Sequence, residues 1–175
     1  MSAGTGAPAP VAPELVDIVD DDDRVMATVS RAEMRRRNLQ HRSVGIAVFG
    51  TDGRLLVHRR ADDKDVWPGR WDLAVGGVVA AGEGYATAAR REVGEEIGVH
   101  GDVELRPIGG GRYADGEVAA FVRCYAIVHD GPFHFDDGEV VEVRWVDRAG
   151  LDDLLASATF VPDSLALLLP LLDLA

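Results

Sequence analysis

Hydrophobic and polar positions divide this chain into short blocks with turn residues between them. Glu14 to Val19 and Arg24 to Val29 read as two short strands flanking the turn Asp20-Asp21-Asp22-Asp23. Ser30 is placed to cap a short helix through about Arg37, with Glu33 three residues on as in a capping box. Val44 to Phe49 and Leu55 to Arg59 are apolar runs around Thr51-Asp52-Gly53, the pattern of a hairpin. Trp71 to Val75 is a further strand candidate, and Gly76 to Gly84 is a glycine-rich loop. Tyr85 to Ile97 has helical spacing, and Gly98 suits a left-handed exit. Val103 to Ile108, Val118 to Val128 and Val140 to Val146 predict strands; Ala149 to Ala156 and Asp163 to Leu172 predict closing helices. Strands and helices without regular alternation predict an α/β fold with a mixed sheet covered by helices. Residues 1–13, rich in Ala, Pro, Gly and Ser, have little to bury and predict a disordered tail. Residues 14–175 then form a single domain, with no internal repeat.

Composition narrows the classes. With 47% apolar residues in 175, the chain can bury a core. Its 18 basic and 30 acidic residues leave a net charge of -12, a surface that repels a nucleic-acid polymer. Bound cations could still reverse that field locally for a small phosphate ester. Cys124 is the single cysteine, so no internal disulfide forms, which fits a reducing compartment. No apolar run nears the roughly 20 residues needed to span a bilayer. These features predict a cytoplasmic protein with no membrane partner. They leave its oligomeric state open, a homodimer being one option.

The chemistry concentrates between Gly77 and Val99. At 3.6 residues per turn, Ala86, Ala89, Val93 and Ile97 share a stripe expected to face the core. Glu92, Glu95 and Glu96, at i, i+3 and i+4, share the neighbouring face. Three clustered glutamates on an arbitrary helix are most often a solvated face. A glycine-rich loop just before them, however, lets backbone approach a ligand. A hard divalent cation would remove their mutual repulsion and needs oxygen ligands.

The whole segment fits one pattern: Gly, five residues, Glu, seven residues, Arg-Glu, an aliphatic, any residue, Glu-Glu, any residue, Gly, an aliphatic. Gly77, Glu83, Arg91, Glu92, Val93, Glu95, Glu96, Gly98 and Val99 fill its fixed positions. A random window would do so on the order of once in a billion. The chain therefore resembles the Nudix hydrolases. The resemblance implies an alpha/beta/alpha sandwich, use of Mg²⁺ or Mn²⁺, and attack by water on phosphorus in a nucleotide-linked diphosphate. It makes Glu92, Glu95 and Glu96 the catalytic and metal-binding residues, joined by the carbonyl of Gly76, with Glu95 or Glu96 helping to deprotonate the water. Gly77, Glu83, Arg91 and Gly98 become structural supports, Arg91 and Glu83 bracing loop against helix. Gly94, at a free position inside the helix, should cost about 1 kcal/mol relative to Ala.

Beyond the box, His41-Arg42, Arg60, Lys64, Trp67-Pro68-Gly69 and Trp71 resemble the branch containing isopentenyl-diphosphate isomerase. That resemblance implies that Arg60 and Lys64 contact a substrate diphosphate. The isomerase's own groups are missing. Gly76 stands where its cysteine belongs, Val78 and Met34 replace histidines, and no carboxylate lies at Ala119 to Phe121, Glu117 being the closest. A carboxylate from a downstream loop often completes such sites, with Asp136, Asp137, Glu139 and Glu142 as candidates and Glu139 preferred for substrate binding. His41 reads more readily as a structural hydrogen-bonding residue, Cys124 and Trp145 as packed residues, and Asp20 to Asp23 as a solvated turn. Two alternatives remain: an isomerase-like enzyme, and a nucleotide-sensing regulatory module, although such modules often lose box glutamates.

Overall fold

The chain's first hairpin begins the sheet, in a computed structural model that describes residues 12–135 and 138–174. Strands β1 (Leu15–Val19) and β2 (Val25–Ser30) pair antiparallel across the aspartate turn. Asp20 organises that turn by accepting the Asp22 and Arg24 amides, both at 2.9 Å. Helix α1 (Arg31–Arg37) starts as expected at Ser30, whose hydroxyl accepts from the Glu33 amide at 3.2 Å. The Glu33 carboxylate turns to Arg37 instead, at 2.8 Å.

Strand β3 (His41–Phe49) is the centre of the sheet. Along one edge it pairs parallel with β7 (Ala119–Val128). Along the other it meets β1 at its start and β4 (Leu55–Arg60) at its end. β4 continues the sheet to β5 (Trp71–Asp72) and β8 (Val140–Val146), and β6 (Arg106–Ala114) closes the side of β7. The result is a mixed sheet of eight strands.

Side chains alternate across a strand, so β3 feeds two cores. Val44, Ile46 and Val48 point to one face, under Ala89, Val93 and Ile97 of α2 (Tyr85–Ile97). Ala47 points to the other, with Leu55, Val57, and Leu151 and Leu154 of α3 (Arg148–Ser157). Each large aliphatic buried this way contributes roughly 1.5–3 kcal/mol. Helices on both faces of a mixed sheet give the expected alpha/beta/alpha arrangement. Among the described residues no helix is long and apolar enough to cross a membrane.

Three elements differ from expectation. The strand predicted over Trp71 to Val75 stops at Asp72, whose carboxylate accepts the Ala74 amide at 3.3 Å. Beyond it the chain pairs with β3 and β1 at isolated bridges, Val75 to Ile46, Val78 to Ser43 and Ala80 to Val16. The strand predicted over Val103 to Ile108 lies at Arg106–Ala114, across three glycines that local propensity disfavours. Pairing with β7 overrides propensity there. Gly110 has φ +144°, and a Cβ on it would meet the Val122 carbonyl at 2.2 Å. The helix predicted over Asp163 to Leu172 is instead a wide π turn, Ser164–Leu168, followed by a tight 3₁₀ turn, Leu169–Leu171. Pro170 has no N–H to continue a regular ladder.

Candidate active site

Helix α2 begins at Gly84 with no side-chain cap and ends at Gly98, which is left-handed with its amide on the Gly94 carbonyl at 3.1 Å. Its buried residues are Ala88, Ala89, Glu92, Val93 and Ile97, whereas Ala86 is exposed. The expected stripe is thus rotated by roughly 50° toward the glutamates, at about 100° per residue. The rotation turns Glu92 inward, only 8% exposed, and leaves Glu96 half-buried and Glu95 exposed. The three glutamates do not share one solvated face.

The loop before α2 explains how Glu92 and Glu96 are held. Gly76 has φ +153°, and a Cβ there would lie 2.1 Å from the Val44 carbonyl. Only glycine can pass that close to β3. Its amide donates to Glu96 Oε2 at 3.0 Å. Here it is the N–H of Gly76 that faces the glutamate, whereas the carbonyl is the group expected at the site. Gly77 is pinned by its carbonyl, which accepts from the Val44 amide at 2.9 Å and the Ser43 hydroxyl at 2.8 Å. A Cβ on Gly77 would meet Glu92 Oε1 at 2.6 Å, so the loop backbone lies directly against that carboxylate.

Arg91 ties these parts together. It donates to Glu83 at 3.2 and 3.0 Å, to Glu92 at 2.7 Å, to Glu95 at 3.0 Å and to the Val78 carbonyl at 3.1 Å. Glu83 also accepts the Ala80 amide at 3.1 Å. The brace between loop and helix, expected of Arg91 and Glu83, is therefore present, and it extends to two of the three clustered glutamates.

Burial, with Glu92 close by, pushes the Glu96 carboxyl up to about 8; the Gly76 amide opposes the shift. Burial raises Glu92 too, against the pull of Arg91. Two in-turned carboxylates that disfavour each other's charge form an oxygen-only donor set, which suits a hard divalent cation. Among the described residues no three His, Cys, Asp or Glu side chains are gathered into a ready metal cage. Arg91 supplies the positive charge beside Glu92 and Glu95.

These groups line a cavity of about 640 Å³. Glu92, Glu95, Glu96, Gly76, Gly77 and Arg91 contribute to its wall, and so do Arg60, Lys64 and Glu139. Lys64 and Glu139 form a close ion pair, and Arg60 donates to the Val66 carbonyl at 3.0 Å. Asp136 and Asp137 lie outside the described residues. Glu142 is exposed, bound to Arg144 at 2.6 Å.

His41 also borders the cavity, buried with Nδ1 on the Leu39 carbonyl at 2.9 Å, and burial pushes its imidazole down to about 4. It is a neutral hydrogen-bonding residue. Burial pushes the Cys124 thiol up to about 11, as suits packing rather than attack. Sequence reasoning passes over Arg31 and Arg35 of α1, and Asp72 and Asp163, which share the cavity. The i, i+4 spacing of the two arginines on a helix is the one available signal. Nothing local marks the two aspartates.

Known proteins resemble this chain in sequence and in fold. Residues 39–166 match the model of the NUDIX domain. The chain is 38% identical to the Nudix hydrolase PA4841 of Pseudomonas aeruginosa over 160 residues, 91% of this chain and 94% of that one. It is 38% identical to the Nudix hydrolase YfcD of Escherichia coli K12 over 153 residues, 87% of this chain and 83% of the relative. Among solved structures, DR0079 of Deinococcus radiodurans superposes with a TM-score of 0.72 at 26% identity, covering 87% of this chain and 95% of that one. A MutT protein of Methanosarcina mazei superposes at 0.60 with 23% identity, over 71% of this chain and 86% of that one, a likeness of fold.

Proposed function

This chain belongs to the Nudix hydrolase family and is an enzyme of the pyrophosphohydrolase kind; from that premise we propose that it is metal-dependent and cleaves a small nucleotide-linked diphosphate by attack of water on phosphorus. Glu92, Glu95 and Glu96, with the carbonyl of Gly76, would hold Mg²⁺ or Mn²⁺. When bound, such a cation supplies Lewis-acid polarisation of phosphoryl oxygens and eases deprotonation of water. Arg91 keeps the glutamates and the loop in one frame through its bonds to Glu83, Glu92 and Val78. The Gly76 amide orients Glu96. Glu95 or Glu96 accepts the proton of the attacking water at a carboxylate oxygen. Arg60 and Lys64 meet the diphosphate, Arg as a fork and Lys as a point charge, with Glu139 positioning Lys64.

The observation that carries this reading is the pair of in-turned glutamates, Glu92 and Glu96, beside cations in one cavity. The presence of Arg60 and Lys64 in that cavity also supports an isomerase-like frame, as the resemblance implied. Isomerase chemistry itself has no thiol to use, since Cys124 is buried and hard to ionise. The test is a panel of nucleoside diphosphate derivatives, together with isopentenyl diphosphate, followed by phosphorus NMR with Mg²⁺, with Mn²⁺, and with chelator. We expect hydrolysis of at least one nucleotide derivative, only with metal. Activity that survives exhaustive chelation, or none on the whole panel, would overturn the proposal.

A further inference from the structure

Helix α1 has no role in the reading above, yet Arg31 and Arg35, four residues apart on it, reach the same cavity as Arg60 and Lys64. The same cavity carries eight carboxylates, which pair some of these cations. Some of these donors have acceptors. Arg31 pairs with Glu14 at 3.0 Å, and Lys64 pairs with Glu139. Arg60 gives one amino group to the Val66 carbonyl at 3.0 Å and stands 3.9 Å from Asp72 through the other.

Two buried donors have none. The Nε atoms of Arg35 and Arg60 are buried and make no hydrogen bond. The closest carboxylate to Arg35 Nε is Asp65 at 3.7 Å, beyond hydrogen-bond reach. A buried donor of a charged group left without an acceptor is costly, and it is rare in a settled core. Nε is one of the donors with which a guanidinium forks a carboxylate or phosphate; in Arg60 one amino group already serves Val66. The two arginines come from different elements and line one cavity, although their Nε atoms are themselves buried. Burial depresses the Arg35 guanidinium; Arg31 and Arg60 add to the shift, and Asp65 and Asp163 oppose it. A phosphoryl group, with three oxygens to a carboxylate's two, can meet more of these donors at once.

Resting on the diphosphatase reading, we propose that Arg35 of α1 and Arg60 together hold a phosphoryl group of the substrate, making α1 one wall of the diphosphate site. The phosphoryl group held there is the neighbour of the one attacked beside the glutamates. Ligands with a single phosphate fill only one of the two places and bind more weakly.

The test is calorimetric titration of the full chain, with Mg²⁺, using methylenediphosphonate, which cannot be hydrolysed, and inorganic phosphate as separate ligands. Wild type should bind the diphosphonate more tightly than phosphate. Arg35→Ala should weaken the diphosphonate by about 10–100-fold, the loss expected for a hydrogen bond to a charged group. Arg35→Lys keeps the charge without the fork and should remain about fivefold or more weaker than wild type. Arg36→Ala, on the exposed side of α1, should match wild type. Thermal melts check folding, and Arg35→Lys decides the matter if Arg35→Ala does not fold. Unchanged affinity in the Arg35 variants, or no diphosphonate binding by wild type, overturns the proposal. Arg35-dependent binding without turnover of any substrate in the panel would refute the hydrolase reading and leave this site standing. Turnover with unaltered KM and unaltered diphosphonate affinity in Arg35→Ala would do the reverse.

Discussion

Helices α2 and α3 cover opposite faces of one sheet, and they are built to different rules. α3 is capped by Asp147, which accepts the Gly150 amide at 2.8 Å, and it buries two leucines, Leu151 and Leu154. α2 starts at a glycine with no side-chain cap, carries Gly94 in its interior, and buries Glu92 beside its aliphatic stripe. Each departure in α2 lowers helix stability. Tertiary contacts make up the difference: Arg91 holds Glu83, Glu92 and Glu95, and the Gly76 amide holds Glu96. Where several local rules fail together on one element, that element is the place to look for chemistry. The other helix serves the fold.

Glu96→Gln gives the sharpest separation of the two helices. It should lower kcat/KM by about 10³-fold, the several kcal/mol expected of metal-assisted stabilisation. Above about pH 8, where Glu96 carries a charge that burial and Glu92 disfavour, the variant's melting temperature should equal or exceed that of wild type. Near-normal turnover would erase the distinction drawn between α2 and α3. On the other face, Leu151→Ala should cost about 2–5 kcal/mol in urea unfolding. Turnover per folded molecule should not change, and a large drop in kcat would show that α3 reaches the chemistry.

Asp163 qualifies the comparison, since it places an acid on the cavity from the α3 side. Burial, and then Asp72, push its carboxyl up to about 7 from an ordinary 3.8. Between those values the folded chain keeps a proton that the unfolded chain has released. Stability from this group therefore falls as pH rises from about 4 to 7. Asp163→Asn should flatten that slope and raise the urea midpoint at pH 8; an unchanged pH profile would count against the assignment. The smallest effect expected is that of Gly94→Ala. A Cβ there meets His100 Nδ1 at 2.9 Å, but His100 is exposed and can swing aside. Helix propensity then wins by a net gain of under about 1 kcal/mol, read as a small rise in melting temperature with unaltered activity.

Much of the fold and of the site is legible in the amino-acid order. The span of α2, its glycine exit and the clustered glutamates follow from spacing within a single segment of chain, and the Arg91–Glu83 brace from the family resemblance of that segment. The rotation of α2 does not follow, because Ala86 and Ala88 are equally apolar and only the sheet beneath chooses between them. Strand β6 departs from its expected place for a similar reason: Gly109, Gly110 and Gly111 have poor strand propensity, and only β7 makes them a strand. The pairing of Lys64 with Glu139, and the unpaired Nε atoms of Arg35 and Arg60, involve residues far apart in the chain.

By itself, then, the amino-acid order determined the family, the order of strands and helices, and the acidic segment. The elements rest on neighbours three or four positions apart and on turn chemistry, and the family on resemblance to a fixed pattern of residues; all can be counted along the chain. Tertiary structure alone decided which carboxylates turn inward and what surrounds them. Ser164 meets Asp72 across 92 positions because sheet order brings their segments together, and no local rule encodes such a meeting. The acidic helix is written in consecutive residues; the cavity it faces exists only once distant elements are packed around it.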